Sequence, residues 1–74
     1  MEVEVRLFAT FREGREKKQK IEIKENTNIL DVISMLNIEE NEVAIMLLNG
    51  KDGTSDRILK DGDVISLFPP VGGG

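Results

Sequence analysis

The residue types that usually carry chemistry are missing from this sequence. Its 74 residues include no cysteine and no histidine. That removes the thiolate nucleophile, the imidazole base and the usual transition-metal ligands, so no metal site is expected. Paired carboxylates remain at Asp61 and Asp63. They bracket Gly62 in a turn-forming run with no aromatics nearby to build a pocket, which speaks against acid/base work. Gly72-Gly73-Gly74 opens no helix, so it is not a phosphate-binding loop. One group is left with special access, the α-carboxylate of Gly74.

The run that carries this group is Pro69-Pro70-Val71-Gly72-Gly73-Gly74. Two prolines hold φ near −65° and favour an extended path. Three glycines then strip the end of side chains. Such an end is poorly suited to packing on its own domain and well suited to a narrow channel in another protein. A carboxylate is inert to nucleophiles at neutral pH. Once a partner converts it to an acyl-adenylate with ATP, a sulfide donor or an amine can attack it. In this reading the tail is the substrate and the rest of the chain is the handle. Glycine-rich ends are also common as plain disordered termini, so the upstream residues have to decide.

The length bounds the handle to one domain, with residues 1–68 as the folded body and 69–74 as an extended flexible tail. A chain of this size buries only about 60% of the surface its unfolded form exposes. Hydrophobic residues make up 39% and charged residues 32%, an ordinary balance for a globular domain. No apolar run approaches a membrane span and no signal peptide is evident, so a cytoplasmic location and no membrane partner are expected. The net charge of −4 and only three aromatics, Phe8, Phe11 and Phe68, argue against nucleic acid. The charge is uneven. Arg12 to Lys20 is net positive and the remainder strongly negative. An acidic body predicts a partner with a basic docking surface.

The elements that must position the tail can be read in order. Val3, Val5 and Leu7 alternate with Glu2, Glu4, Arg6 and Phe8, which predicts a half-buried strand with Phe8 on its outer side. Arg12 to Lys20 reads as a hairpin loop, and Ile21 and Ile23 as the inward positions of a second strand. Thr27 or Asn28 is a helix N-cap, followed by Ile29, Val32, Ile33 and Leu36 at helical spacing, with Asn37 as the stop. Val43 to Leu48 is apolar at every position, which predicts a strand covered on both faces and leaves open which parity faces the core. Ile58 and Leu59 anchor the next segment. Lys60-Asp61-Gly62-Asp63 is a turn, and Val64 to Phe68 a last strand with Ile65 and Leu67 inward. The order predicts an α+β fold, a mixed sheet of four to five strands under one helix, with the first and last strands parallel neighbours. Phe8 and Phe68 then lie side by side at the root of the tail. With Met46 from the third strand they form an expected partner-binding patch, continued by Pro69, Pro70, Val71 and Gly72.

Val5-Arg6-Leu7-Phe8-Ala9-Thr10-Phe11-Arg12-Glu13, Leu59-Lys60-Asp61-Gly62-Asp63 and the Phe68-to-Gly74 ending together resemble the MoaD/ThiS family of ubiquitin-like sulfur carriers. The likeness spans nearly the whole chain. The Phe-Pro-Pro-Val ending is most similar to the small subunit of molybdopterin synthase, while Val-Gly-Gly-Gly also resembles the thiazole-pathway carrier. The resemblance implies a β-grasp fold, with Gly73 and Gly74 as the family's di-glycine. It implies adenylation of Gly74 by an E1-like enzyme, with ATP used by that partner and no cofactor bound by this chain. A sulfur donor protein would then supply a thiocarboxylate. Delivery to a pterin precursor would occur inside the large subunit of molybdopterin synthase, for molybdenum or tungsten cofactor. This chain would be a sulfur-donating subunit and not an enzyme by itself. A ubiquitin-like modifier joined to lysines through Gly74 begins from the same adenylate.

Overall fold

The computed structural model describes residues 1–70. The tail expected at Val71, Gly72, Gly73 and Gly74 lies outside the described residues, as does most of its proposed path. Strands β1 (Glu2–Leu7), β2 (Lys18–Glu22), β3 (Ile45–Leu48), β4 (Lys51–Asp52) and β5 (Val64–Phe68) form one sheet in the order β2-β1-β5-β3-β4. Strands β1 and β5 pair in parallel, and every other pair is antiparallel. Helix α1 (Ile29–Met35) is the crossover between the two halves. This is the β-grasp architecture, with the mixed sheet and parallel central pair that the sequence predicts.

Alternation in β1 and β5 decides the inner face. Val3, Val5, Leu7, Ile65 and Leu67 are buried there against Ile29, Val32 and Ile33 of the helix. Each such side chain contributes about 1.5–3 kcal/mol on burial. The helix is only seven residues long and is fixed at both ends. At its start, the Asn28 side chain accepts from the Asp31 N–H at 2.9 Å, and the Asp31 carboxylate accepts from the Asn28 N–H at 3.0 Å. This capping box satisfies two otherwise orphaned donors. At its end the chain turns through Asn37 at φ +59°. Arg15, reaching from the β1–β2 connection, donates to the Leu36 carbonyl at 3.3 Å and, at 3.5 Å, to those of Asn37 and Phe11. A cation there also complements the helix dipole.

The acidic turn before β5 is a clamp on its neighbours. Glu2 N–H donates to Asp61 Oδ1 at 2.7 Å, and Lys60 N–H to Asp63 Oδ2 at 2.8 Å. Asn49 Nδ2 donates to Asp63 Oδ1, while Asn49 Oδ1 accepts from the Val64 N–H, both at 2.9 Å. Gly62 sits at φ +87°, a region open to it without a Cβ penalty. The carboxylates of Asp61 and Asp63 are therefore spent on holding β5 between β1 and β3.

Two expectations need correcting. The expected hairpin loop from Arg12 to Lys20 is shorter, because β2 already begins at Lys18 and pairs Lys18 with Arg6. A 3-10 turn at Ala9–Arg12 precedes it and folds Phe11 into the core at 5% exposure. Strand β3 is not covered twice. Met46 and Leu48 face the helix side, while Ile45 is 43% exposed and Leu47 half-buried on the other side. Among the described residues nothing covers that second side, and no helix is long and apolar enough to cross a membrane.

Candidate functional site

The outer face of the sheet is built by register. Leu7 is opposite Leu67, so the next residue of each parallel strand, Phe8 and Phe68, leave on the same side. Their rings stack with centroids 4.3 Å apart and planes inclined by 10°. Such a pair stabilises by about 0.5–1.5 kcal/mol beyond its area. On the far side of Phe68, β3 places Ile45 directly opposite it, and Leu47 opposite Ser66. The Ala44 N–H donates to the Phe68 carbonyl at 2.8 Å, which fixes the last residue of β5. Phe8, Phe68, Ile45 and Leu47 thus make one apolar surface, and Pro69 and Pro70 leave from its edge, half-buried and exposed respectively.

The opposite border of this surface is charged. After Phe8 the chain turns sharply at Ala9, φ +54°, and the 3-10 turn returns Arg12 over the Phe8 ring, 5.1 Å from its centroid. Arg12 Nε donates to the Leu7 carbonyl at 2.8 Å, which holds the guanidinium there. Arg6, Arg12, Lys17 and Lys18 surround Phe8 and line an open cleft of about 270 Å³. Arg6 is also paired with Glu4, Nε to Oε2 at 2.6 Å. That hydrogen bond, reinforced by the charges of Arg6, Lys18 and Lys20, holds the Glu4 carboxyl below its ordinary range against a smaller opposing effect of desolvation.

The residues expected to bind a partner divide as follows. Phe8 and Phe68 are brought into contact on the open face, with Pro69 and Pro70 beside them. Met46 does not join them. It is opposite Leu67 in the register, and so faces inward at 9% exposure. Its place on the outer face is taken by Ile45 and Leu47. The expected roles of Val71, Gly72, Gly73 and Gly74 fall outside the described residues. Two features carried little sequence signal. Ile45 and Leu47 lay in a run apolar at every position, and Arg12 reaches Phe8 only through a turn made by a non-glycine residue at positive φ. The net positive Arg12 to Lys20 segment was the one visible hint of the cleft.

Comparison with known proteins fits this arrangement. The ThiS family matches over residues 5–74, and the chain belongs to that family. Small archaeal modifier protein 3 of Haloferax volcanii is 37% identical, with the whole of both chains aligned. A Pyrococcus furiosus protein assigned as molybdopterin converting factor subunit 1 is 31% identical with a TM-score of 0.76, over 96% of this chain and 99% of that one. The complex of subunits 1 and 2 of the Helicobacter pylori molybdopterin-converting factor contains a chain 34% identical, with a TM-score of 0.67 and full coverage of both. The protein is a ubiquitin-like member of a group that holds both small modifiers and molybdopterin-converting subunits.

Proposed function

We propose that this ThiS-family protein is a sulfur carrier for molybdopterin synthesis, with Gly74 as the loaded residue. Its α-carboxylate attacks ATP in an E1-like enzyme, forming the acyl-adenylate and releasing pyrophosphate. A sulfur donor protein supplies a sulfide nucleophile that displaces AMP and leaves a thiocarboxylate. The loaded end then enters the large subunit of molybdopterin synthase and gives its sulfur to a pterin precursor. ATP belongs to the activating enzyme, and this chain binds no cofactor of its own. The observation that carries the reading is the stacked Phe8–Phe68 pair at the root of the tail, on a sheet face that no described residue covers. It offers both partners the same apolar grip next to the reacting end.

Mass spectrometry of the intact protein tests this. Incubated with the activating enzyme, ATP and a sulfur donor, the chain gains the mass difference of sulfur for oxygen. No gain with an enzyme active on its own known substrate counts against the reading. A second reading is favoured by the 37% identity to a small archaeal modifier. In it a lysine amine attacks the same adenylate and Gly74 becomes an isopeptide. Tryptic peptides with glycine remnants on target lysines support that outcome. A thiazole-pathway large partner in a co-purification would move the carrier to that branch.

A further inference from the structure

We propose that the cleft around Phe8 seats an acidic segment of the protein partner that covers the apolar face. The inference rests on the reading that a partner protein grips this face, and it adds the sign of that partner's charge. Net charge alone predicts a basic partner. The local arrangement argues for the reverse at this place.

Position comes first. Phe8 is a wall of both surfaces: it stacks on Phe68 on one hand and lines the cleft on the other. Any partner that covers Phe8 and Phe68 must meet Arg12, Lys17 and Lys18 at its border. Charge comes second. Among the described residues, Arg12, Lys17 and Lys18 form no ion pair within 4.0 Å, and Arg6 alone is answered, by Glu4. This concentration of cations occurs in a chain whose net charge is −4. Lys18 and Lys20 stand on β2 directly opposite Arg6 and Glu4, so the cations are concentrated along this one edge of the sheet. Pre-organisation comes third. The Arg12 bond to Leu7 uses only Nε, so both Nη groups remain for a carboxylate in a guanidinium already held in place.

The setting selects the occupant. The cleft is open and admits a carboxylate side chain of a covering protein. The lysines that line it are exposed, so a free anion gains little from them in water. A protein that also covers the aromatic pair excludes that water and strengthens the same contacts. Nucleic acid is disfavoured. Glu2, Glu4 and Glu22 share the outer face with the cations, and no free aromatic stands ready for bases, since Phe8 is stacked and Phe11 is buried.

The test measures association between the full chain and the E1-like enzyme of its own organism at several salt concentrations. Lys17→Glu with Lys18→Glu should slow association about tenfold at low salt. The gap should close as salt rises. Lys51→Glu, on the far strand β4, should associate as the unaltered protein does. Equal rates for the double variant at every salt overturn the proposal. Equal slowing by Lys51→Glu also overturns it, since only net charge would then matter. A second measurement does not depend on the enzyme. Amide shifts of the labelled chain are followed with a peptide alternating Glu and Phe, with inorganic phosphate, and with a short DNA duplex. Shifts at Arg12, Lys17 and Lys18 for the peptide alone support the proposal; no peptide shift, or equal shifts with phosphate or DNA, overturn it. If the unaltered chain is neither bound nor adenylated by the enzyme, the functional reading fails, and the peptide result decides the cleft by itself.

Discussion

The two faces of the sheet are made by the same strands and serve opposite ends. On the helix side, Val5, Leu7, Ile65 and Leu67 are fully enclosed at 0% exposure. On the other side, the residues one step along the same strands, Arg6, Phe8, Ser66 and Phe68, are exposed or half-buried. Fully buried apolar area on the first face is what stabilises so small a chain. The second face leaves apolar area only partly covered, next to unpaired cations. The difference separates folding from recognition by a step of one residue. A change on one side should therefore register in one assay and leave the other nearly still.

The sharpest way to break that separation is a cut on the inner face. Leu67→Ala should lower stability by about 2–5 kcal/mol, read from urea or thermal unfolding. Met46→Ala belongs with it, since Met46 packs opposite Leu67. A Met46→Ala variant that keeps its stability but loses partner binding would return this residue to the outer face. On that outer face, Phe68→Ala should lose about 0.5–1.5 kcal/mol of stacking. Its effect on the rate of adenylation by the activating enzyme should be larger in proportion, about tenfold or more, as for a central aromatic anchor. Equal losses in both assays would mean that the two faces are not separable. Arg15→Ala should cost about 0.3–1 kcal/mol, by removing the cation from the end of the helix, and leave adenylation unchanged.

The smallest effect is a pH dependence. The Glu4 carboxyl is held below its ordinary range first by the Arg6 hydrogen bond. A lowered folded value means that the contribution is present above the unfolded value. It is lost as pH falls through the folded one. Glu4→Gln should therefore leave a shallower acid-side decline in stability, compared with the unaltered protein by unfolding from neutral pH downward. A steeper decline in the variant would contradict the sign.

The same contrast explains what could be read in the sequence. Period-two alternation in Val3-Val5-Leu7 and Ile65-Leu67 revealed the inner face, because each strand has one wet side to define it. Asn28 and the Ile29-Val32-Ile33 spacing revealed the helix in the same way. From these two patterns the parallel contact of Phe8 and Phe68 followed. Strand β3 defeated the method. Both of its sides are apolar, one for the core and one for the open face, and periodicity does not distinguish these uses. Phe11 was missed as core because a 3-10 turn, not a repeating element, carries it inward. The cleft joins Phe8 to Lys18 through an antiparallel register that no local pattern announces.

The parallel pairing of the first and last strands also settles where a reporter group can be carried. Met1 stands at the other end of β1 from Phe8, about 23 Å away at ~3.3 Å per residue. Its backbone is tied to Ile23, through Ile23 N–H to the Met1 carbonyl at 2.7 Å. A fluorophore or purification handle placed ahead of Met1 projects from the opposite rim of the sheet. It leaves the aromatic pair and the departing prolines clear for whatever grips them.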